Sequence, residues 1–411
     1  MVIVSHPMGN QNLRAVLNGF EEAGLLSGFY TSIATFPGDL SYKLGSLPGL
    51  SEIKRRSYST KIKSVTHTHP ARELGRLLAP RLKFNNLAEH EKGYFCIDKV
   101  SHSISKFTAD RIVAKKKSIK AVYAYEDAAL ELFERSKELG LLNFYDLPIG
   151  YWRTARHLMQ QEFENRPEWA STLTGFKDSQ EKLLRKDEEL KLADHIFVAS
   201  SFTKKTLESF PHKLAPVSVI PYGFPEPSWD RTYEKPDGRP LKLLFVGGLS
   251  QRKGIANLLE AVEHLGDAIT LTIVGRKPVE DCVPLNEGLK KHTYIPTLNH
   301  AGVLQAMREH DIFVFPSLFE GFGLVITEAM SQGTPVITTD RTAGADLLED
   351  GKDGWLVEAG STDSLRLKIE EILKDPYQVE KLGRAAREKA ARRPWSVYGA
   401  EMAMAIKTLL A

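Results

Sequence analysis

The sequence predicts an α/β protein with two doubly wound domains that face each other across a cleft. First, the chain has 411 residues, which is long for a single core. Second, short apolar runs alternate with helical segments, the pattern of a parallel sheet covered on both faces. Third, a proline-rich stretch separates these runs into two series. Ligands of such sheets bind beyond the carboxyl ends of the strands, so the loops that follow strands are where function is expected.

The strands are predicted from β-branched and apolar runs. In the first series they cover residues 1–5, 121–125, 195–199 and 217–220. In the second series they cover residues 242–247, 269–275, 293–295, 312–315, 336–339 and 355–357. Three prolines and one glycine occur within residues 221–227, which indicates a linker. We therefore predict domains at 1–223 and 224–394, with 395–411 as a final helix.

Composition and charge exclude several classes of protein. A hydrophobic content of 42% and a charged content of 26% are typical of a folded chain and exclude a mainly disordered, collagen-like or coiled-coil protein. The net charge of +3 does not favour a nucleic-acid partner. Residues 1–223 carry 32 Lys and Arg against 25 Asp and Glu (+7), and the remainder carries 23 against 27 (−4). Two cysteines are too few for a disulfide scaffold, so a cytoplasmic location is expected. No apolar run approaches the length of a membrane span, so any membrane contact should be peripheral.

The loop at 316–323 joins a buried strand to a helix that starts near Leu324. Free backbone N–H groups at such a helix start form an anion site. Gly321 and Gly323 would let the main chain approach a phosphate or a sugar where a Cβ would collide.

Two glutamates accompany this loop, with seven residues between them. Glu320 lies in the loop and Glu328 lies within the helix. Their carboxylates are suited to hold hydroxyl groups on two parts of an extended ligand. The alternative is that Glu320 caps the helix and Glu328 is an exposed acid.

Cations follow the strand at 242–247. After two glycines come Arg252 and Lys253, which can bind a diphosphate and stabilise it as a leaving group. Because Lys253 is followed by Gly254, this is not a Walker loop. The alternative is a solvated turn. At the next strand end, Gly275 and Arg276 form either a surface for a planar base or a plain turn.

These residues together resemble the signature of family 4 retaining glycosyltransferases of the GT-B fold. The resemblance covers essentially the whole second domain. It implies transfer of a sugar from a nucleotide diphosphate sugar to a hydroxyl group, without a metal or other cofactor. The arginine and lysine would bind the diphosphate, the second glutamate the ribose, and the first glutamate the reacting sugar. The expected donor site consists of Arg252, Lys253, Gly275, Arg276, Glu320, Gly321, Phe322, Gly323, Leu324, Val325 and Glu328. Residues 395–411 resemble the family's last helix, which packs back on the first domain.

The first domain resembles the family less closely. Its first strand is followed by a loop with a single glycine, Gly9, which we expect near the diphosphate, and His6 and Asn10 are expected near the acceptor. Asn10 is alternatively a helix cap. After the strand at 121–125, where many relatives carry a histidine, the chain has Tyr125, Glu126 and Asp127. These are candidate catalytic or acceptor-binding groups, and the alternative for Asp127 is a helix cap.

Residues 43–83 carry ten Lys or Arg against two acids. Leucines are interleaved with them, among them Leu44, Leu47, Leu50, Leu74, Leu77 and Leu78. The segment is either a solvated flap over the acceptor cleft or a contact with an anionic membrane or acceptor. The chain has no Asp-x-Asp pair, and His67 and His69 lack a nearby third ligand, so no metal site is predicted.

The sequence therefore predicts a retaining, metal-independent glycosyltransferase that acts on a glycan, glycolipid or lipid-linked acceptor. Two alternatives stay open. One is another GT-B enzyme, such as a phosphorylase or a sugar-nucleotide epimerase. The other is a non-catalytic nucleotide-binding protein of the same fold. The nucleobase, the sugar, the acceptor and the oligomeric state are not predicted. The expected location is cytoplasmic, with a peripheral position at the inner membrane face as a further option.

Overall fold

The computed structural model describes residues 1–39, 42–43, 55–173 and 177–411. Within these residues it contains two parallel sheets, one on each side of the predicted linker. The first sheet has the order β3-β2-β1-β4-β5-β6-β7, with strands β1 (Val2–Ser5), β2 (Leu26–Thr31), β3 (Thr66–Thr68), β4 (Ala121–Tyr125), β5 (Leu142–Leu147), β6 (His195–Val198) and β7 (Val217–Val219). The second has the order β10-β9-β8-β11-β12-β13, with strands β8 (Leu241–Val246), β9 (Ile269–Val274), β10 (Thr293–Ile295), β11 (Ile312–Phe315), β12 (Val336–Thr339) and β13 (Gly354–Val357).

Helices cover both sheets. Those before the linker are α1 (Gln11–Glu22), α2 (Ala71–Leu78), α3 (Ile97–Lys115), α4 (Leu130–Glu138), α5 (Trp152–Asn165), α6 (Gln180–Leu192) and α7 (Ser201–Thr206). Those after it are α8 (Ile255–Glu263), α9 (Val283–Lys290), α10 (His300–Glu309), α11 (Leu324–Ser331), α12 (Gly344–Leu347), α13 (Thr362–Lys374), α14 (Gln378–Arg392) and α15 (Trp395–Leu410). The central strands β1, β4, β11 and β12 are buried along their whole length, as expected for sheets covered on both faces. The predicted fold class of two doubly wound domains is confirmed. No helix in the described parts of the chain is both long and apolar enough to span a bilayer.

Three strands of the first sheet were absent from the prediction. β2 has a serine and a glycine directly after its first residue, and β3 has only three residues, two of them threonine. In β5 the apolar run is interrupted by Asn143 and Asp146. Both polar side chains are buried and bonded: the Asn143 amide donates to Leu192 O at 2.9 Å, and Asp146 accepts from Tyr123 Oη at 2.5 Å. Hydrogen bonds between such distant residues cannot be inferred from an apolar pattern. The sequence therefore does not predict β5 as a strand.

The chain crosses between the domains at two neighbouring segments. Phe224 N–H donates to the Arg393 carbonyl at 2.9 Å, and the two segments form a short parallel bridge there. Beyond this crossing, α15 packs along α1. The two helices meet closely at Gly19 and Gly399, since a Cβ on Gly399 would lie 2.3 Å from the Ala15 carbonyl oxygen. The final helix therefore lies on the first domain.

A second bridge between the domains is the arm, which we define as residues 152–173. It comprises α5 and the short helix Pro167–Thr172, and it extends from the first domain onto the second. Arg166 pairs with Glu260, with Nη2 and Oε2 2.7 Å apart, and Trp169 is buried in the same contact. Thr172 Oγ1 accepts a bond from Gln251 N–H at 3.0 Å. The arm thus touches the loop that carries Arg252 and Lys253.

Candidate functional site

The loops after β8, β9 and β11 lie together at the cleft edge of the second sheet. Main-chain hydrogen bonds connect them: Leu249 N–H donates to Arg276 O at 3.0 Å, and Leu318 N–H donates to Arg252 O at 2.9 Å. Gly275 permits the closest approach, because a Cβ there would lie 1.7 Å from Gly247 O. The three loops predicted from sequence therefore form one connected surface.

Arg252 and Lys253 lie in a single helical turn, Gln251–Lys253, that faces the cleft. Ser250 caps this turn, with its hydroxyl accepting from Arg252 N–H at 3.3 Å. The turn ends at Gly254, whose φ of +70° is a left-handed conformation. A Cβ at Gly254 would also lie 2.0 Å from Pro316 O, so only glycine fits between this turn and the next loop.

One oxygen of Glu320 lies between these two cations. Arg252 Nη1 is 3.2 Å from Glu320 Oε2, and Lys253 Nζ bonds to the same oxygen. Arg252 also donates to Phe319 O at 2.7 Å, which fixes its guanidinium. The arrangement forms a binding position for an anionic oxygen, and in this structure a carboxylate fills it.

Burial makes the two cations dependent on a neighbouring anion. Burial and the adjacent Arg252 lower the pKa of the Lys253 ammonium to about 6, and burial also lowers the pKa of Arg252. The Lys253 ammonium also lies over the face of Phe315, 4.9 Å from the ring centre. An anion beside Lys253 opposes this shift and favours the protonated form. Glu320 provides that anion in the absence of a ligand.

The start of α11 lies beside this position. Its N-cap is Gly323, with φ +86°, and no side chain of the described residues caps the helix there. Leu324, the first helical residue, is 40% exposed. The first N–H groups of α11 are therefore available to an anion.

Glu328 lies one turn further along α11 and opens on a separate cavity of about 600 Å³. Gln11, His300 and Leu324 are among the residues that line it. Glu328 Oε1 is 3.7 Å from His300 Nδ1, and burial raises the pKa of the Glu328 carboxyl. The two glutamates therefore serve different places: one binds the cations, and the other faces the space beside the linker.

Two other predicted donor residues lie in the contact between domains. A Cβ on Gly321 would be 2.3 Å from Pro148 O, and the Gly321 carbonyl accepts from Ser200 Oγ at 2.6 Å. Phe322 is buried against Tyr222, with ring centres 4.7 Å apart. Both residues thus join the β11 loop to the first domain and the linker. Of the remaining predicted residues, Val325 is half-buried against the core and Arg276 is exposed at the cleft.

In the first domain, the residues after β1 are engaged with each other. Asn10 is the N-cap of α1, and its Oδ1 accepts from Leu13 N–H at 2.8 Å. His6 Nδ1 accepts from Met8 N–H at 2.9 Å, and burial lowers the pKa of His6 to about 3. Gly9 approaches Tyr58, since a Cβ there would lie 2.4 Å from the hydroxyl. The helix-cap interpretation thus describes Asn10, and His6 is a neutral, buried ring.

The residues after β4 form part of a buried ion cluster. Tyr125 is buried and its ring lies edge-on to His6, with centres 4.6 Å apart. Glu126 Oε2 is 3.3 Å from Lys186 Nζ, and Asp127 Oδ1 is 3.6 Å from the same nitrogen. Burial raises the pKa of Glu126 to about 7, although Lys186 opposes the shift. Asp127 adopts a φ of +68°, a conformation that Asp tolerates better than most residues.

The alternative interpretation of Asp127, as the cap of the next helix, is wrong. Glu189, far away in sequence on α6, performs that role. Its carboxylate accepts from Asp127 N–H at 2.9 Å, Ala129 N–H at 3.0 Å and Leu130 N–H at 3.1 Å. Burial raises the pKa of Glu189 to about 8. Nothing in the local sequence indicates this cap, because it depends on how α6 packs beside α4.

A further cluster brings together His90, Glu91 and Asp178. His90 Nε2 is 3.0 Å from Asp178 Oδ1 and 3.3 Å from Glu91 Oε1. These side chains have the chemistry of metal ligands, but Lys182 Nζ also lies 3.1 Å from Asp178 Oδ1. An ammonium thus already supplies positive charge at this place.

Comparison with known proteins finds similarity to glycosyl transferases. Residues 229–389 match the family model of glycosyl transferases group 1. A phosphatidyl-myo-inositol mannosyltransferase of Mycobacterium leprae is 34% identical over 173 residues, 41% of this chain and 46% of that protein. A glycogen synthase of Mycobacterium tuberculosis is 29% identical over 203 residues, 47% of this chain and 49% of that protein. The chain thus spans about half the length of these curated relatives.

Solved structures resemble the whole chain. Sucrose-phosphate synthase from Thermosynechococcus elongatus superposes with a TM-score of 0.60 at 19% identity and covers 99% of this chain and 98% of its own. HepE of Anabaena, in complex with UDP and glucose, has a TM-score of 0.61 at 16% identity and covers 99% of both chains. The two facing domains are therefore a GT-B fold, and the group 1 glycosyl transferase match lies within the second of them.

The arm was not singled out by the sequence. It places Trp152, Arg156 and Met159 opposite the cations of the group 1 region, within one cavity. The sequence does contain an indication of this part of the cleft. Aromatic and arginine residues cluster at 151–156, shortly after the end of β5. Because β5 itself was missed, this cluster was not recognised as a loop of the cleft.

Proposed function

We propose that this protein is a glycosyltransferase that moves a sugar from a nucleoside diphosphate sugar to a hydroxyl group, with retention at the anomeric carbon. The observation that carries the proposal is the position of Glu320 Oε2 between Arg252 and Lys253 at the start of α11. Two cations and free helix N–H groups around one anionic oxygen are what a diphosphate requires.

The donor would bind by exchange. A diphosphate oxygen takes the place of the Glu320 carboxylate on the two cations, and Glu320 is released to contact the transferred sugar. Glu328 accepts hydrogen bonds from the ribose hydroxyls in its own cavity. As the bond to the sugar breaks, negative charge grows on the leaving diphosphate, and the buried cations stabilise it. Their low-dielectric surroundings strengthen this effect.

Retention is supported by the resemblance of the second-domain motifs to retaining enzymes. In the proposed reaction the acceptor hydroxyl attacks from the face that the diphosphate leaves, and the leaving phosphate takes the hydroxyl proton. No strong protein base is then needed. This agrees with the first domain, where Lys186 holds the carboxylates of Glu126 and Asp127. No metal has a role in this scheme, because Arg252 and Lys253 supply the positive charge.

The direct test measures release of nucleoside diphosphate from a panel of sugar nucleotides in the presence of candidate acceptors and EDTA. Uridine diphosphate sugars come first, because HepE is described in complex with UDP and glucose. Lys253→Ala and Glu328→Ala should lose turnover by about a hundredfold. The exposed Lys290, which pairs with Glu287 at the end of α9, provides the control Lys290→Ala.

Each alternative has its own product. An epimerase would give an isomeric sugar nucleotide and transfer nothing, and a phosphorylase would require inorganic phosphate. A binding protein would take up the nucleotide tightly without turnover. Full turnover in both Lys253→Ala and Glu328→Ala would reject the assignment.

We also propose that the acceptor is met at an anionic membrane. The end of α2 and the turn after it expose apolar side chains next to cations: Leu82 is 62% and Phe84 56% exposed, and Arg81 and Lys83 flank Leu82. Most other described cations of the basic segment have protein partners, such as Lys63 with Asp39 at 2.5 Å. Leu44, Leu47 and Leu50 lie outside the described residues.

Vesicle sedimentation tests this contact. The protein should bind vesicles of phosphatidylcholine with phosphatidylserine and should bind pure phosphatidylcholine far less, since each Lys or Arg near an anionic surface contributes about 1 kcal/mol. Leu82→Ser with Phe84→Ser should reduce binding about tenfold or more. Leu409→Ser, on the exposed end of α15, is the matched control. Equal binding to both kinds of vesicle would contradict the proposal.

A further inference from the structure

The cleft contains a cavity of about 510 Å³ between the arm and the loops of the second domain. Its volume lies in the range of small-molecule sites. One wall belongs to the second domain and carries cations: Arg252, Lys253, Arg276 and Lys277. The opposite wall belongs to the first domain, and its chemistry is different.

The first-domain wall is mostly apolar. Ile149 is 40% exposed toward the cleft, and Trp152 and Ala155 are partly exposed beside it. Met159 and Leu183 are buried behind them and line the same cavity. These residues come from the β5 loop, from α5 and from α6, so three elements converge on one apolar surface.

Trp152 is fixed in this wall. Its indole N–H donates to Asp187 Oδ1 at 2.8 Å, and Asp187 is itself buried and bound to Tyr151 and Arg153. The Arg153 guanidinium lies over the indole, 4.2 Å from the ring centre. A ring held in this way loses little conformational freedom when a ligand packs on it. It is therefore a preformed contact surface.

The polar groups of this wall are already engaged. Arg156 donates to Asp178 O at 2.9 Å. The Asp178 carboxylate is bonded to His90 at 3.0 Å and to Lys182 at 3.1 Å. A polar oligosaccharide on this wall would exchange hydrogen bonds with water for apolar contacts, which costs free energy. An apolar group would gain free energy on this wall, because its surface would leave water for apolar contacts.

We propose that this cavity binds the apolar part of the acceptor, an alkyl, isoprenoid or aromatic group next to the hydroxyl that receives the sugar. That the ligand is an acceptor rests on the proposed function. The hydroxyl then lies toward Arg252 and Lys253, where the donor diphosphate ends, and the apolar group lies against Trp152, Ile149 and Met159. Trp152 is a specificity-determining residue in this arrangement.

Two glucosides with the same sugar test the inference by calorimetry: octyl β-D-glucopyranoside below its micelle concentration, and methyl β-D-glucopyranoside. Maltotriose serves as the polar oligosaccharide. Full-length protein should bind the octyl glucoside at least about tenfold more tightly than either of the others. Trp152→Ala should lose about tenfold of that affinity, and Trp152→Phe should restore most of it. Trp229→Ala, at an exposed tryptophan on the linker, is the control.

Preferred binding of maltotriose, equal affinity for the two glucosides, or no binding of any of them would overturn the inference. So would octyl-glucoside binding that Trp152→Ala leaves unchanged while its melting temperature matches the wild type. Nucleotide turnover is a separate readout. If no sugar nucleotide is ever turned over but the chain-length preference depends on Trp152, the apolar site stands and the proposed transfer reaction fails.

Discussion

The two domains differ in the kind of titratable group whose pKa is shifted by burial: carboxyls in the first, and the cations Arg252 and Lys253 in the second. In the first domain, burial raises the pKa of Glu126 and Asp146 to about 7 and that of Glu189 to about 8. In the second, burial lowers the pKa of Arg252 and, together with Arg252 itself, brings that of Lys253 to about 6. The overall charges of the halves have the reverse signs, +7 before residue 224 and −4 after it. The sign of a site is therefore set by a few buried groups and not by the charge of its domain.

The two clusters also differ in how their charges are balanced. Lys186 lies within 4 Å of Glu126, Asp127 and Asp178, and Lys182 also pairs with the last two, so two cations face three carboxylates. Arg252 and Lys253 share one carboxylate, Glu320, so cations outnumber the acid. The first cluster is internally compensated and serves stability. The second has a single anion that a ligand can replace, and it is suited to binding.

The sharpest test of this difference removes one lysine from each cluster. Lys186→Met leaves the buried carboxylate of Glu126 without its cation and should destabilise the protein by about 3 to 5 kcal/mol. Lys253→Met removes a buried cation but leaves Glu320 paired with Arg252, so no buried charge loses its partner and the loss of stability should be smaller than in Lys186→Met. Binding of the preferred nucleoside diphosphate should show the opposite order, with a loss of about tenfold to a hundredfold in Lys253→Met alone.

Urea unfolding measures the first effect and calorimetry on folded protein the second. The control for both is Lys290→Met on the surface of α9. If Lys186→Met weakened nucleotide binding as much as Lys253→Met, the division into a stabilising cluster and a binding cluster would be wrong.

A smaller effect concerns the pH dependence of stability in the first domain. Burial raises the pKa of Asp146 from 3.8 to about 7, so the folded state holds a proton that the unfolded state has released. Asp146 should therefore reduce stability progressively as the pH rises from about 4 to about 7, and no further above that. At about 1.4 kcal/mol per pKa unit, the change is on the order of 4 kcal/mol.

Asp146→Asn should remove this part of the slope, measured by urea unfolding between pH 4 and pH 8. A slope will remain, because the raised pKa values of Glu126 and Glu189 act in the same direction. The exposed Asp363 provides the control Asp363→Asn. An unchanged slope in Asp146→Asn would show that this carboxyl is not a proton-binding group of the folded state near neutral pH.

The two domains also differ in how well the sequence predicts their strands and their candidate site residues. In the second domain most predicted site residues lie in glycine-containing loops that follow strands, as Arg252 and Gly323 do, so local signals locate them. Ten of the strands were predicted because their residues are apolar or β-branched. The missed β5 holds Asn143 and Asp146, whose burial depends on partners elsewhere in the chain.

In the first domain, site features depend on contacts between distant segments. Glu189 caps α4 from a position about 60 residues away, which no local pattern indicates. A contact between the domains is equally hidden from local patterns. Gly321, in the second domain, was expected to approach a ligand, and in the structure it lies close to Pro148 O of the first domain. Such packing between domains is decided by the whole fold, and the prediction from sequence reached only the loop that carries the glycine.

The smallest expected effect tests whether Glu320 really occupies the diphosphate position. Glu320→Gln removes the negative charge that competes for Arg252 and Lys253, so a nucleoside diphosphate should bind about fivefold more tightly, equivalent to about 1 kcal/mol. Sugar transfer should nevertheless fall, because the carboxylate would no longer contact the reacting sugar. Glu328→Gln is the matched comparison on the same segment, and it should weaken nucleotide binding by removing a ribose acceptor. Calorimetry with the nucleoside diphosphate alone separates the two variants by the sign of their effect. Weaker binding in Glu320→Gln would mean that the carboxylate holds the cations in place for the ligand, and that the second domain, like the first, needs its internal ion pair intact.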